Sequence, residues 1–336
     1  MDLKRRFFVK FIALKPRPKQ LFNLAAVFLA NRWKRGVRLP YSPVSVQVHV
    51  TGRCNFTCSW CSAGVPDGAL DDCKDLTEDI MREILDFSVT RKAIRLGLIG
   101  GEVFLHKDIF LFIKMARETR LLTTIYSNGS LISKFADDIY KSGLSFLGLS
   151  CYDQYYEKLL SNLDKYQNKI LKKRDRPTIC MQKIMTSENF QDSEKVIRDA
   201  IQLKADMVFL QNYYPIDGNV ELCIYDDNKD YLAFKKKLEI NYGQKINITF
   251  PGLLSKKYNP RLCRVLFQTL MFDAEGRAQV CCYAPPNEKH GNVMSDPNLW
   301  NSETFMKLRK PFLDHQEPLH QFCTHCYASF KDHRAI

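Results

Sequence analysis

The chain has no apolar run long enough to cross a bilayer. Its most apolar stretch, Leu21–Ala30, falls far short of the ~20 residues that a spanning helix needs. It also lacks a secretory signal, because no continuous apolar segment at the start leads into a small-residue cleavage site. Repeats and low-complexity tracts are missing too. Acid is nearly absent from the first 40 residues: Asp2 stands alone against eleven Lys and Arg. That segment therefore holds +10 of the net charge of +13, and the other 296 residues hold only +3. The body is thus no general magnet for nucleic acid, and no nucleic-acid partner is expected. Without an export signal, the 12 cysteines do not read as an extracellular disulfide framework. A chain of 336 residues has no need of such staples, and a reducing cytosol with metal-bound thiols fits better. Hydrophobic content of 45% and aromatic content of 12% supply a packed core and exclude disorder.

Residues 1–43 read as a basic, apolar helical extension. Its run Leu21–Ala30 is apolar nearly all round, which predicts a helix packed on the outside or bottom of the main body. The alternative is an interfacial helix making peripheral membrane contact, since basic residues with Phe, Leu and Trp suit a bilayer surface. From Val44 the chain alternates strand and helix. Strands are predicted at Val44–Val50, Ile94–Ile99, Thr123–Tyr126, Ser145–Ser150, Thr178–Met185 and Met207–Gln211. Helices fall between them, including Glu78–Phe87 with Thr77 as its cap. This order implies an α/β fold with parallel strands, right-handed crossovers and both sheet faces covered. Residues 216–262 form a less legible connection. Beyond Cys263, Phe267–Phe272 and Ala278–Cys282 flank a turn signal and predict a hairpin, followed by a helix over Ser302–Arg309.

Two cysteine groups carry the chemistry. Cys54, Cys58 and Cys61 stand at spacings of four and three, just after the first strand. A short loop can aim three thiolates at one soft metal or iron–sulfur cluster, and three ligands leave one coordination position open. The second group is Cys263, Cys281 and Cys323-Thr-His-Cys326. A hairpin returns Cys281 beside Cys263, and four thiolates suffice for a closed site. Zinc is the alternative for each group. Between them, Gly100-Gly101-Glu102 follows the second strand. Its glycines allow close backbone approach to a ligand, and its carboxylate can accept hydrogen bonds from an ammonium. Polar residues end the later strands: Asn128, Ser150 with Asp153, Lys183 and Gln211. Cys73, Cys151, Cys180, Cys223 and Cys282 read as no part of either group.

The Cys54-x-x-x-Cys58-x-x-Cys61 pattern, with Trp60 before its last cysteine, resembles the signature of radical S-adenosylmethionine (radical SAM) enzymes. Gly100-Gly101-Glu102 resembles that family's contact for the methionyl amino group, although Val103 replaces the usual proline. The C-terminal cysteines, with Gly276, Gly291-Asn292-Val293, Trp300-Asn301-Ser302 and Leu308-Arg309, resemble the SPASM auxiliary-cluster domain in its shortened twitch form. Asp332 stands where full SPASM has a further cysteine, so one auxiliary cluster is expected.

The resemblance implies a partial (β/α)6 barrel over residues 44–215 and a small hairpin-plus-helix domain over 263–336. It implies a 4Fe-4S cluster on Cys54, Cys58 and Cys61, SAM at its open iron, and an auxiliary 4Fe-4S cluster on Cys263, Cys281, Cys323 and Cys326. SAM contacts are expected at Gly100, Gly101, Glu102, Asn128, Ser150 and Gln211. The implied reaction is reductive cleavage of SAM to a 5′-deoxyadenosyl radical that takes hydrogen from a C–H bond. A donor such as flavodoxin or ferredoxin would supply the electron. The substrate is read as a small polar or carbohydrate-like molecule, lipid-linked if residues 1–40 touch membrane. That reading rests on single-cluster relatives, one of which oxidises an aminocyclitol alcohol, and on the 43 residues before the first strand being too few for a leader-binding module. The rival readings are a peptide maturase using a separate leader-binding partner and a non-catalytic zinc-binding interaction protein.

Overall fold

The computed structural model describes residues 10–30, 36–58, 61, 74–215, 218–255, 263–281, 290–314, 316, 323 and 326. Helix α1 (Pro18–Ala30) precedes strand β1 (Ser45–Thr51). There follow α2 (Glu78–Thr90), β2 (Arg95–Gly100), α3 (Ile109–Glu118), β3 (Leu122–Ser127), α4 (Ala136–Ser142) and β4 (Phe146–Ser150). Then come α5 (Tyr156–Ile170), β5 (Thr178–Met185), α6 (Ser193–Gln202) and β6 (Met207–Asn212). All six strands pair in parallel in sequence order, as the alternation of apolar runs and helices requires. The sheet is an open partial barrel. Local signals set the boundaries: Thr77 caps α2 by accepting from the Ile80 N–H, and Gly143 (φ 75°) closes α4 in the left-handed region.

The sheet has nine strands, three more than the alternating pattern predicts. After helix α7 (Lys229–Tyr242), the short β7 (Asn247–Thr249) adds to β6 at one edge. At the other edge β8 (Thr269–Phe272), which follows α8 (Arg264–Gln268), pairs in parallel with β1 and antiparallel with β9 (Ala278–Gln279). The predicted hairpin is therefore present, and it extends the barrel sheet directly.

Helix α9 (Glu303–Asp314) completes the described elements. Arg309 on it is fully buried. Its Nε donates to the Leu266 carbonyl at 3.0 Å, and its Nη1 donates to Asn301 Oδ1 at 3.2 Å and the Val37 carbonyl at 3.4 Å. The guanidinium lies 4.2 Å over the Trp300 ring. Trp300 donates to the Tyr41 carbonyl at 2.7 Å, and Asn301 exchanges two hydrogen bonds with the Leu39 backbone. These residues strap the C-terminal region to the chain that leads into β1.

One face of the sheet is the main core. Val46, Val48, Val50, Leu96, Leu98, Ile125, Leu147 and Leu149 pack there against the helices. The opposite parity of the same strands gives Gln47, His49, Arg95, Thr124, Tyr126 and Gln182. Gly97 and Gly148 make room on this inner face for the side chains of Gln47 and Tyr126. A Cβ at residue 97 would meet Gln47 Cγ at 3.0 Å, and one at residue 148 would meet the Tyr126 ring at 2.4 Å. Desolvation lowers the His49 pKa to about 4, partly offset by Asp273. The unfolded imidazole titrates near 6.5, so between about pH 4 and 6.5 the unfolded chain binds the extra proton. Stability should fall as pH drops through that window. His49→Gln should flatten this acid limb in urea titrations, and an unchanged limb would contradict the assignment.

Candidate active site

The cysteine loop begins where β1 ends, at the carboxyl edge where α/β folds gather their chemistry. Gly101 N–H donates to the Thr51 carbonyl and Glu102 N–H to the Arg53 carbonyl, both at 2.9 Å. A Cβ at residue 100 or 101 would lie 2.3 Å from one of those carbonyls, and Gly100 has φ +146°. The glycine pair thus admits the backbone of the loop itself. Arg53 pairs with Asp75 at 2.6 Å and donates to the Leu105 carbonyl at 3.0 Å, which fixes the entry to the loop. Phe56 stacks on Tyr155 with ring centroids 3.7 Å apart, which holds the loop against the start of α5.

Cys61 N–H donates to the Cys58 carbonyl at 3.2 Å, so the last two cysteines share one turn. Burial pushes Cys58 up to about 12, and the neighbouring Cys61 and Cys54 add to that shift. Burial likewise raises Cys54, with Glu102 and Cys61 contributing. The mutual effect places the three sulfurs in one electrostatic neighbourhood. Among the described residues no three His, Cys, Asp or Glu are set around a single metal ion.

Glu102 is fully buried. Phe104 N–H reaches it at 3.2 Å, Ser127 Oγ at 2.9 Å and Asn128 N–H at 2.8 Å. These are three hydrogens for about four lone-pair sites, so one acceptor position remains. No Lys, Arg or His pairs with it among the described residues. Burial raises its pKa, and those three donors oppose the rise. Asn128, held by Glu102, donates to Asn55 Oδ1 at 2.9 Å and lies 3.9 Å from Cys54 Sγ. The end of β3 is thereby tied to the cysteine loop.

A cavity of about 250 Å³ opens beside Cys58. Ser150, Tyr152, Asp153, Gln182, Lys183 and Ile184 line it from β4, β5 and the turn between β4 and α5. Lys183 is buried and paired with Asp153. Gln182 Nε2 donates to Gln211 Oε1, while the buried Gln182 Oε1 has no partner. The structure thus brings Ser150 to the cavity directly and Gln211 through Gln182. Gln182, Tyr152 and Asn55 escaped the sequence reading. The signal for Gln182 was available: it is a polar residue within an otherwise largely apolar strand, directly before Lys183.

Cys263 stands at the N-cap position of α8; burial raises its thiol pKa, and the N–H groups of Leu266 and Val265 partly oppose the rise. It shares the main apolar cluster with Cys323, and Cys281 lies one residue beyond the buried Val280. Cys326 N–H donates to the Cys323 carbonyl at 3.2 Å, a tight turn like that of Cys58 and Cys61. Cys326 packs with Tyr213, Tyr214 and Leu254. Cys151, Cys180 and Cys223 are buried. Trp60, Cys73, Cys282 and Asp332 lie outside the described residues.

Comparison with known proteins agrees with this geometry. Residues 48–204 match the Radical SAM superfamily, and 263–327 match SPASM, an iron-sulfur cluster-binding domain. The chain therefore carries a Radical SAM superfamily domain followed by an iron-sulfur cluster-binding SPASM domain. A GTP 3′,8-cyclase of Helicobacter pylori (strain HPAG1) is 26% identical over 201 residues, which are 59% of this chain and 54% of that protein. One from Campylobacter jejuni subsp. doylei is 28% identical over 132 residues, 39% of this chain and 38% of the relative. The chain thus spans about half or less of the length of these curated relatives. Streptococcus suis SuiB, solved with its precursor peptide SuiA, shares the fold at a TM-score of 0.63 and 16% identity, over 84% of this chain and 69% of SuiB. The enzyme anSMEcpe with bound AdoMet aligns at 0.61 and 13% identity, over 86% of this chain and 84% of its own. No helix among the described residues is long and apolar enough to cross a membrane.

Proposed function

We propose that Cys54, Cys58 and Cys61 hold the SAM-binding 4Fe-4S cluster, and that SAM lies between them and Gly100, Gly101, Glu102, Asn128, Ser150 and Gln211. The observation that carries this is the buried Glu102 carboxylate, which has one acceptor position left and no cationic partner among the described residues. Such a charge is costly to bury alone, and the ammonium of SAM would compensate it. A cluster held by Cys54, Cys58 and Cys61 would supply the one-electron reduction, fed by a donor such as flavodoxin or ferredoxin, that turns bound SAM into a radical source for hydrogen abstraction from a C–H bond. The chain's own part is positioning. Glu102 fixes Asn128, Asn128 fixes the cysteine loop, and Ser150 and Gln182 shape the cavity beside Cys58. Cys263, Cys281, Cys323 and Cys326 hold the auxiliary 4Fe-4S cluster.

The substrate is a small polar molecule. The inner face offers Gln47, His49 and Tyr126, with Arg95 at its amino end, as hydrogen-bonding groups. Arg95 Nε donates to Ser45 Oγ at 3.0 Å. Reduced anaerobically with dithionite, the protein should yield 5′-deoxyadenosine from SAM, faster with a competent small polar substrate than with peptides. Stimulation by peptides alone would reverse this substrate assignment. Glu102→Ala should weaken SAM binding by about 10- to 100-fold, the equivalent of one charge-assisted hydrogen bond, with iron content unchanged. Unchanged SAM affinity at equal iron would remove Glu102 from the site.

A further inference from the structure

Helix α1 is inverted. Its inward face is polar: Gln20 and Asn23 are buried together with Val27. Gln20 donates to the Ala93 carbonyl at 2.7 Å, and Asn23 donates to the carbonyls of Ser42 at 3.2 Å and Lys92 at 3.3 Å while accepting from Ser42 N–H. Its outward face is apolar. Phe22 is 74% exposed, Leu29 52% and Leu21 41%, and Ile12 in the preceding helical turn is 45% exposed. Of the eight large hydrophobic side chains exposed among the described residues, these four fall within eighteen positions of sequence. Scattered single exposures are ordinary, whereas a contiguous apolar face marks an interaction surface.

The charge around this face has one sign. Lys15 and Lys19 are exposed beside it. In the sequence Lys4, Arg5 and Arg6 precede it, and Arg32, Lys34 and Arg35 follow it, with Trp33 between them. No Asp or Glu occurs from residue 3 to residue 66. A short helix with an apolar outer stripe, flanking cations and a nearby Trp matches a bilayer interface. We propose that this face docks the enzyme on an anionic lipid surface.

The position of the helix sets the orientation. Its anchors at Ser42, Lys92 and Ala93 all precede β1 or β2, and Lys10 reaches the Ser145 and Arg176 carbonyls, before β4 and β5. The lipid-facing surface therefore lies at the amino ends of the strands, opposite the cysteine loop. Docking there leaves the candidate active site facing away from the membrane, open to substrate and electron donor from solution. A substrate buried in the same bilayer would meet the wrong end of the barrel.

The test is co-sedimentation of the intact protein with vesicles. Binding is expected to vesicles containing phosphatidylglycerol or phosphatidylserine at low salt, with release at high salt and none to pure phosphatidylcholine. Phe22→Glu with Leu29→Glu should lower partitioning by about ten-fold or more, because both side chains leave the apolar phase and bring negative charge to an anionic surface. The melting temperature and SAM cleavage should stay unchanged. Several results would overturn the proposal: no binding at low salt, equal binding to phosphatidylcholine, or binding insensitive to the double substitution. A lowered melting temperature in the double variant would show that the chain itself covers this face. A dimer that the substitution converts to monomer would assign the face to a second copy.

Discussion

Replacing Cys54, Cys58 and Cys61 together by alanine should leave a folded chain with about half the iron and no measurable SAM cleavage. The auxiliary cysteines sit on other elements, so about four of eight irons should remain after anaerobic reconstitution. The loop lies at the carboxyl edge of the sheet, outside the main core, and its removal should shift the melting temperature little. Loss of 5′-deoxyadenosine formation by three orders of magnitude or more is expected, because no other group on the chain replaces the open-iron site. Retention of cleavage in the triple variant would contradict the assignment. Complete loss of iron would show that the two cysteine groups are one site.

The second large effect falls on stability. Arg309→Ala should destabilise the fold by about 3 kcal/mol or more, since it empties a buried volume and strands the Leu266 and Val37 carbonyls. Burial already lowers the Arg309 pKa to about 10, yet the guanidinium remains charged at neutral pH. It is held by carbonyls and by the Trp300 face, with no carboxylate partner among the described residues. Arg309→Met should recover part of the loss through stacking on Trp300. A fall in melting temperature of roughly 5 °C is expected for the alanine variant. A variant that melts with the native protein would show that the strap between residues 37–41 and 300–309 carries little of the fold.

Much of the barrel was legible because parallel strands and helices have different periods. The runs ending at Ser127, Ser150 and Met185 keep their predicted positions to within a residue. Both sheet faces are covered, as expected, and consecutive residues of β3, β4 and β5 are buried. The alternation Val-Ser-Val-Gln-Val-His-Val in β1 separates its two faces. Ser45, Gln47 and His49 were the inner lining, announced by that alternation. The ninth-strand topology was less accessible. Asn247–Thr249 is three residues long and carries no apolar period, and nothing in Thr269–Phe272 specifies β1 as its partner. Helix α1 packs at the bottom of the sheet, as expected, although it is apolar nearly all round. Two polar side chains, Gln20 and Asn23, decide instead which face turns inward, because only they can satisfy the carbonyls at the base of the sheet.

At the site, the residue types were legible and their partners were not. Spacing alone brought out the cysteines. Glu102 was legible as an acceptor, but its hold on Ser127 and Asn128, 25 and 26 residues away, is a tertiary fact. The Gly100-Gly101 pair was assigned to ligand approach, and the structure shows it admitting the backbone of residues 51–53. Both observations point the same way: the motif builds the loop that presents the cysteines.

The most direct test of the account is the yield of 5′-deoxyadenosine when the anaerobically reconstituted intact chain is mixed with SAM and dithionite. A brown protein containing iron and sulfide and forming 5′-deoxyadenosine and methionine is the predicted result. A colourless, zinc-loaded protein that leaves SAM intact would contradict it.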